Sequence, residues 1–156
     1  MITLGILISG SGTNLQAIIE AIAAGELDAR IGLVLSNKQD AYGLTRAQNA
    51  GIETCFVDPH SFESIHEYNE ALREALQASD VDYVVMAGYM KLLGTEVLNA
   101  FPQRVVNLHP ALLPSFPGAH GIADALDYGV KVTGVTVHFA DEVFDRGAII
   151  AQEAVA

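Results

Sequence analysis

Residues 2–13, which read ITLGILISGSGT, predict the first unit of the fold. Residues 2–8 are almost continuously apolar and predict a buried strand, and four small residues follow at positions 9–12. From Leu15 to Ile22 apolar residues recur at spacings of three and four, which predicts a helix over residues 13–24. A buried strand, a tight turn and an amphipathic helix in this order are typical of a parallel α/β sheet.

The same alternation continues along the chain. Further strands are predicted at residues 31–35, 53–57, 83–87 and 104–108, and further helices at 42–50, 61–77, from 95, and at 119–128. The run 83–87 is nearly all apolar, as expected for a central strand covered on both faces. Strands 132–139 and 148–153 are too close in sequence for a crossover helix, so they are expected to pair as an antiparallel hairpin. The pattern predicts one α/β domain over residues 1–156, with an open, mostly parallel, Rossmann-like sheet, helices on both faces and an antiparallel C-terminal hairpin.

The composition narrows the class of ligand. The chain has 156 residues, with 8 Lys and Arg against 19 Asp and Glu, which gives a net charge of −11 when histidine is neutral. No cluster of basic residues offers the surface that a nucleic-acid backbone requires, so nucleic acid is excluded as a partner. An anionic small molecule remains compatible, because backbone N–H groups bind anions without net positive charge.

The expected location in the cell follows from Cys55 and from the apolar runs. A single cysteine cannot form an intramolecular disulfide, and it lies in an apolar segment typical of a buried strand. No apolar run reaches the length of a membrane span, and the first residues carry no basic leader. We therefore expect a cytoplasmic protein with no membrane partner.

The turn at residues 9–14, SGSGTN, is predicted to bind a phosphate group. Its small residues let a ligand approach the backbone, and the start of the following helix offers free N–H groups. A dinucleotide fits poorly because its fingerprint requires glycine where the chain has Leu15, and the Gly-Lys pair of the nucleoside-triphosphate loop is absent. The alternative is a structural turn in which Thr13 or Asn14 caps the helix.

Asn107 and His109 lie at the carboxyl end of the predicted strand 104–108, where open α/β sheets bind their ligands. Strand alternation places both side chains on the same face. An amide that donates hydrogen bonds, beside an imidazole that moves protons, suits acyl transfer, in which an oxyanion forms and a proton changes place. The alternative for His109 is a structural histidine at a strand end.

The acidic turn at residues 141–147 is the candidate source of a carboxylate for His109. A carboxylate neighbour orients an imidazole ring and stabilises its charged form, provided that the hairpin packs beside the strand that carries His109. Spacing does not determine which carboxylate does so, and the alternative is a solvated loop. A metal site is not predicted, because the five histidines show no paired ligand spacing and a lone cysteine excludes a Cys-rich zinc site.

Five segments together carry a family resemblance. They are residues 8–17 (ISGSGTNLQA), 36–38 (SNK), 87–90 (AGYM), 107–114 (NLHPALLP) and the stretch 137–145 that begins VHF. In order and spacing they resemble the phosphoribosylglycinamide formyltransferases, over essentially the whole chain. The resemblance implies the formyltransferase fold, and transfer of a formyl group from the co-substrate 10-formyltetrahydrofolate to the amino group of glycinamide ribonucleotide in purine biosynthesis, without a metal.

The resemblance also implies roles for individual residues. The residues expected to bind the ribonucleotide are Gly12, Thr13 and Asn14. Those expected to bind the folate are Met90, Lys91, Leu92, Leu93 and Asn107. His120 is expected near the site. In the catalytic set, Asn107 would stabilise the oxyanion, His109 would donate a proton, and Asp145 would hold and tune His109.

Related activities remain as alternatives. A formyltetrahydrofolate hydrolase uses a similar Asn-His-Asp set with water as the acceptor, and a non-catalytic module could keep the nucleotide or folate site without turnover. A methionyl-tRNA formyltransferase shares the core but requires a basic surface for tRNA, which a net charge of −11 does not provide. The resemblance further implies small-molecule partners, a monomer or homodimer, and a chain that lacks the usual C-terminal segment of the family.

Overall fold

The computed structural model describes residues 1–142 and 145–156 and alternates strands with helices. The strands are β1 (Ile2–Ile8), β2 (Ala29–Ser36), β3 (Thr54–Phe56), β4 (Tyr83–Met86), β5 (Val105–His109), β6 (Thr133–Phe139) and β7 (Ile149–Val155). The helices are α1 (Thr13–Ala23), α2 (Tyr42–Asn49), α3 (Ile65–Ala78), α4 (Thr95–Ala100) and α5 (Gly121–Tyr128), with a short 3-10 turn at Pro59–Ser61.

The strands form one sheet in the order β3-β2-β1-β4-β5-β6-β7. Strands β1 to β5 run parallel, β6 is antiparallel to β5, and β7 is antiparallel to β6. The sheet confirms the predicted α/β fold, with β4 at its centre and the C-terminal hairpin at one edge. The strand order reverses between β1 and β4, and open α/β sheets bind ligands in the crevice beyond the carboxyl ends at such a point.

Apolar side chains cover both faces of the sheet. On one face α1 and α2 contribute Leu15 and Leu44, which pack around Ile6 of β1. On the other face α3 contributes Leu72, which packs in the same core as Val84 of β4. Burying one aliphatic side chain of this size contributes about 1.5–3 kcal/mol, so the two layers make the sheet a firm support for the loops at its carboxyl ends.

The helix predicted over residues 61–77 begins at Ile65 instead. Ser64 is its N-cap, and the Ser64 hydroxyl accepts a hydrogen bond from the Glu67 N–H at 3.1 Å. Before it, the Asp58 side chain accepts the His60 N–H at 2.9 Å and starts the separate 3-10 turn. The longest helix in the described part of the chain, α3, has 14 residues, and none of the described helices combines the length and apolar character needed to cross a membrane.

An exposed ion pair links α3 to α4. His66 Nδ1 lies within hydrogen-bonding distance of Glu96 Oε1. That hydrogen bond, together with the negative charges of Glu96, Glu70 and Glu67, raises the pKa of His66. In return, a backbone N–H and the His66 side chain lower the pKa of Glu96.

We expect the substitution Glu96→Gln to lower the pKa of His66, because an amide does not favour the imidazolium as a carboxylate does. In the unchanged protein the stabilisation by this pair is complete below the ordinary pKa of histidine and is lost as pH rises through the raised pKa of His66. It is also lost as pH falls through the lowered pKa of Glu96. Titration of the His66 ring by NMR measures the change, and His60 in the same spectra is the control. An unchanged His66 titration would contradict the assignment.

Candidate active site

A cavity of about 360 Å³ lies at the carboxyl ends of β1 and β4, where the strand order reverses. Its wall consists of residues 9–14 after β1, Lys38 after β2, and residues 87, 88 and 90 after β4. The turn predicted to bind phosphate therefore lies at the position where the topology favours a ligand.

The glycine-rich turn leaves the start of α1 without a side-chain cap. The N-cap is Gly12, with a left-handed φ of 74°, and no described side chain accepts a hydrogen bond at this cap. Thr13 and Asn14 are exposed on the wall of the cavity. Uncapped N–H groups and the positive end of a helix dipole both favour an anion, so the turn is not the structural cap by Thr13 or Asn14 that was the alternative.

Helix α2 supports this turn and brings a cation to it. The Gly43 N–H donates to the Gly10 carbonyl at 3.1 Å, and Arg46 Nε donates to the Ser11 carbonyl at 2.7 Å. The Arg46 guanidinium also lies 4.9 Å from the ring centre of Tyr42. The sequence pattern does not reveal Arg46 as a site residue, because only the packing of α2 places it beside a turn that lies 35 residues earlier.

The segment after β4 separates this cavity from a second, smaller one. Met90 is 65% exposed and lines the larger cavity, whereas Leu92 and Leu93 line the smaller one. Lys91 Nζ lies 5.9 Å from the ring centre of Tyr68. Leu93 is also part of the core, so within the expected folate segment Met90 and Leu92 offer exposed apolar surface and Leu93 anchors the segment.

The smaller cavity, of about 10 Å³, lies over three neighbouring strands. Met86 of β4 is paired with Asn107 of β5, and Asn107 is paired with His138 of β6, so the three residues form a row across the sheet. Asp141 and Asp145 also line this cavity. The cavity therefore places an amide, an imidazole and a carboxylate beside the segment that separates it from the larger cavity.

The Asp145 carboxylate lies close to three polar groups of the site. Its side chain is 4% exposed, and its Oδ2 accepts the Gly118 N–H at 2.7 Å. Its Oδ1 lies 3.3 Å from His109 Nδ1 and 3.6 Å from His138 Nε2. The backbone of Asp145 has a φ of 60°, a left-handed conformation that aspartate tolerates better than most residues. In the structure, the carboxylate beside His109 is therefore that of Asp145, which spacing alone had left open.

Both ring nitrogens of His109 face oxygen atoms. Nδ1 faces the Asp145 carboxylate, and Nε2 donates a hydrogen bond to the Phe116 carbonyl at 2.8 Å. A carbonyl oxygen only accepts, so Nε2 carries a hydrogen in this arrangement. The ring is buried behind the loop that contains Phe116, and this hydrogen bond must open before Nε2 can donate its hydrogen to a ligand.

His138 is a site residue to which the sequence pattern assigned no role. It is 1% exposed, and its Nδ1 donates to the Phe139 carbonyl at 2.9 Å. Its Nε2 is then free to accept from the Asn107 Nδ2 group, which lies 3.3 Å away. This contact holds the Asn107 amide, and within residues 1–142 and 145–156 no second partner of that NH₂ group is found. The antiparallel pairing of β6 with β5 places His138 opposite Asn107.

The comparison with protein families decides where this chain belongs. The family described as formyl transferase matches residues 3–156. The chain belongs to the formyl transferase family. It is 42% identical to the phosphoribosylglycinamide formyltransferase of Haemophilus influenzae over 149 residues, which cover 96% of this chain and 70% of that protein.

A solved structure and a much longer protein are also similar to this chain. The crystal structure of glycinamide ribonucleotide transformylase 1 from Symbiobacterium toebii superimposes with a TM-score of 0.97 at 50% identity, and covers 99% of this chain and 73% of that one. A trifunctional purine biosynthetic protein of Drosophila melanogaster is 44% identical over 152 residues, or 96% of this chain and 11% of that protein. The fold is thus shared with a solved transformylase, and the sequence similarity extends to a much longer purine biosynthetic protein.

The residues predicted for the site lie around the two cavities, with two exceptions. Gly12, Thr13, Asn14 and Met90 line the larger cavity, Leu92, Leu93, Asn107 and Asp145 line the smaller one, and His109 lies against Asp145. The exceptions are Lys91, whose Nζ lies near the Tyr68 ring, and His120, which is exposed and directly precedes α5. Neither residue belongs to the wall of either cavity. Within residues 1–142 and 145–156, no group of three His, Cys, Asp or Glu side chains is placed to hold a metal ion.

Proposed function

We propose that this chain transfers the formyl group of 10-formyltetrahydrofolate to the amino group of glycinamide ribonucleotide, and that residues 1–156 act as one catalytic domain. The observation that carries the proposal is the cluster of the half-buried Asn107 with the buried side chains of His109 and Asp145, which lies beside a cavity suited to phosphate. The similarity to proteins named phosphoribosylglycinamide formyltransferase supports the choice of substrates.

The ribonucleotide is expected to bind at the glycine-rich turn. Backbone N–H groups of Gly12, Thr13 and Asn14 are the proposed phosphate ligands, because the turn is uncapped and lines the larger cavity. Arg46 beside the turn adds positive charge to a chain whose net charge is −11. An amino group on the far side of the ribose would then point toward the smaller cavity.

The folate is expected to bind along the segment after β4. The exposed Met90 and Leu92 offer apolar contacts, Lys91 and Leu93 complete the segment, and Asn107 lies at its end beside the formyl group. This placement brings the formyl carbon between the two cavities, within reach of an amine held at the turn. Holding both reactants in one geometry is itself a large part of catalysis in a two-substrate reaction.

The chemistry begins when the amine nitrogen of the ribonucleotide attacks the formyl carbon. A C–N bond forms, and the carbonyl electrons move to oxygen, which becomes an oxyanion. The free N–H of Asn107 is placed to stabilise that charge, which is absent from the ground state. The bond to the folate nitrogen then breaks as the oxyanion electrons return. The folate nitrogen takes up a proton and the amine loses one, so no net proton is consumed.

His109 is the proposed proton donor, and Asp145 is the group that holds it. Asp145 receives the ring at Nδ1, and Nε2 presents the hydrogen that the folate nitrogen requires once the Phe116 contact has opened. His120 is exposed next to the same loop and is proposed only as a residue near the site. The sole cysteine and the acidic charge support our further expectation of a cytoplasmic enzyme that acts on small molecules as a monomer or homodimer, with no metal.

The test is a turnover assay with both substrates. Loss of the formyl group from 10-formyltetrahydrofolate, followed by absorbance, should depend on glycinamide ribonucleotide and yield formylated ribonucleotide. Formate release without ribonucleotide would indicate the hydrolase instead. Binding of either ligand in calorimetry without any turnover would indicate a non-catalytic module.

The substitution Asn107→Ala is expected to lower kcat about 10²–10³-fold, because it removes a hydrogen-bond donor to the oxyanion. Asn99→Ala, which changes an exposed asparagine on α4, is the matched control and should leave kcat unchanged. Steady-state rates of the two variants measure the difference. A kcat for Asn107→Ala within twofold of the unchanged protein would remove Asn107 from the mechanism.

A further inference from the structure

Two hydrogen bonds join the glycine-rich turn to neighbouring loops, one to the segment after β4 and one to the turn after β2. Both are made by Ser9, which is 5% exposed. The Ser9 hydroxyl accepts the Met90 N–H at 2.8 Å and donates to Asn37 Oδ1 at 2.6 Å. The three residues follow β1, β4 and β2, which are neighbours in the sheet. One buried hydroxyl thus spans the point where the strand order reverses.

Both hydrogen bonds of the Ser9 hydroxyl go to groups of the protein, and its partner Asn37 is held in place. The single O–H hydrogen of Ser9 is used on Asn37, so the hydroxyl has no hydrogen left to donate to a ligand. Asn37 is itself fixed, because the Ser36 hydroxyl accepts the Lys38 N–H at 3.0 Å and closes a tight turn around it. Ser9 therefore acts as a brace between loops.

The segment after β4 has separate anchors on α3. The hydroxyls of Tyr89 and Tyr68 are hydrogen bonded at 2.6 Å, and the Gly94 N–H donates to Asn69 Oδ1 at 2.9 Å. Burial raises the pKa of both tyrosines, so both hydroxyls stay protonated at assay pH. These anchors fix the segment to α3, whereas Ser9 fixes the same segment to the glycine-rich turn.

We propose that Ser9 is a positioning residue that couples the ribonucleotide site to the folate site, an inference that rests on the proposed function. A phosphate bound at the turn restrains Ser9, and the hydrogen bond from the Met90 N–H to Ser9 then restrains the backbone of Met90. Because coupling between two sites is reciprocal, folate binding must favour ribonucleotide binding by the same factor. A single neutral hydrogen bond supports a coupling of about 2- to 10-fold.

The experiment measures binding of tetrahydrofolate, which has no formyl group to transfer, by calorimetry with and without saturating glycinamide ribonucleotide. In the unchanged protein the dissociation constant of tetrahydrofolate should fall about 2- to 10-fold when the ribonucleotide is present. The coupling ratio is the dissociation constant of tetrahydrofolate without the ribonucleotide divided by that with it. In Ser9→Ala this ratio should fall to one, while each ligand alone still binds. Thermal unfolding of the variant checks that the fold is retained.

Two pairs of variants separate coupling from a general loosening of the segment. Tyr89→Phe removes an anchor on α3 and should leave the ratio unchanged, because it does not alter the contact with Ser9. Asn37→Ala should abolish the ratio, whereas Asn37→Asp keeps an oxygen acceptor for the Ser9 hydroxyl and should preserve it. The Asn37 pair also provides the test in case Ser9→Ala does not fold.

The outcomes distinguish this inference from the proposed function. A ratio of one in the unchanged protein, or a ratio that persists in Ser9→Ala and Asn37→Ala, overturns the coupling and leaves the function standing. Failure of both ligands to bind the unchanged protein overturns the proposed function and the coupling with it.

Discussion

Replacing Asp145 by asparagine is expected to lower kcat about 10²–10⁴-fold without unfolding the protein. The carboxylate accepts on both oxygens, with Gly118 N–H on Oδ2 and the His109 ring on the side of Oδ1. An amide has one accepting end and one donating end. Since the Gly118 N–H can only donate, the accepting oxygen stays with Gly118, and the NH₂ group of the new residue faces His109.

This reversal changes what His109 can do. An NH₂ group facing Nδ1 requires a bare Nδ1 as acceptor, while Nε2 keeps the hydrogen that it donates to the Phe116 carbonyl. The ring is then held neutral and loses the carboxylate that stabilises its charged form during proton transfer. Asparagine also tolerates the left-handed backbone at this position, where φ is 60°, so the loss should be chemical and not conformational.

The control for Asp145→Asn is Glu142→Gln, which removes the same charge from an exposed residue of the same connection. Its kcat should match that of the unchanged protein, and thermal unfolding of both variants should show a retained fold. If Asp145→Asn turns over at the rate of Glu142→Gln, Asp145 has no part in holding His109.

The sequence pattern was sufficient for the fold because the decisive signals are local. Solid apolar runs such as residues 83–87 predict buried parallel strands wherever they occur, and the structure confirms β4 as the central strand. The predicted start of α3 was wrong because two residues, Asp58 and Ser64, each accept a backbone N–H through a side-chain oxygen and cap separate helical turns. A hydrophobic pattern does not rank two such caps.

The candidate site was only partly accessible from sequence, because much of it depends on contacts between distant residues. Asn107 and His109 could be found at a strand end, since the topology of α/β sheets places ligands there. Residue spacing did not distinguish Asp145 from its acidic neighbours, and only the family resemblance named it, because a left-handed backbone turn directs its carboxylate at His109. Arg46, and the contact of Ser9 with Met90, were not predicted for a related reason. These contacts join residues 35 and 81 positions apart and carry no local signal.

The acidic net charge and a phosphate-bearing substrate are compatible in this structure. The turn presents an uncapped helix start, and Arg46 is held beside it through the Ser11 carbonyl, so the local surroundings of the cavity differ from the chain average. The net charge of −11 therefore disfavours a nucleic-acid partner but does not exclude a phosphate at this small site.

The substitution Gly12→Ala is expected to have the largest effect on stability and on ribonucleotide binding. Gly12 has a φ of 74°, and a Cβ there would lie 2.5 Å from the Gly43 Cα, which is backbone and cannot rotate away. The left-handed conformation costs alanine about 1–2 kcal/mol, and overpacking against α2 adds about 1–3 kcal/mol. The turn must therefore move away from α2, which also breaks the hydrogen bond from the Gly43 N–H to the Gly10 carbonyl.

The control Gly25→Ala separates the cost of the left-handed backbone from the cost of overpacking against α2. Gly25 has the same φ of 74°, but a Cβ there would meet no atom within 4 Å. This control should lose only the backbone part, about 1–2 kcal/mol, in denaturant unfolding. The difference between the two variants measures the contact between Gly12 and α2.

Ribonucleotide binding provides the second measurement. Moving the turn costs at least one hydrogen bond from a backbone N–H to the phosphate, which corresponds to a dissociation constant about 10- to 100-fold higher for Gly12→Ala. Gly25→Ala should bind the ribonucleotide as the unchanged protein does, because Gly25 lies beyond the far end of α1. Equal losses of stability in the two variants, with unchanged ribonucleotide binding, would show that the close packing of the turn on α2 does not shape the phosphate site.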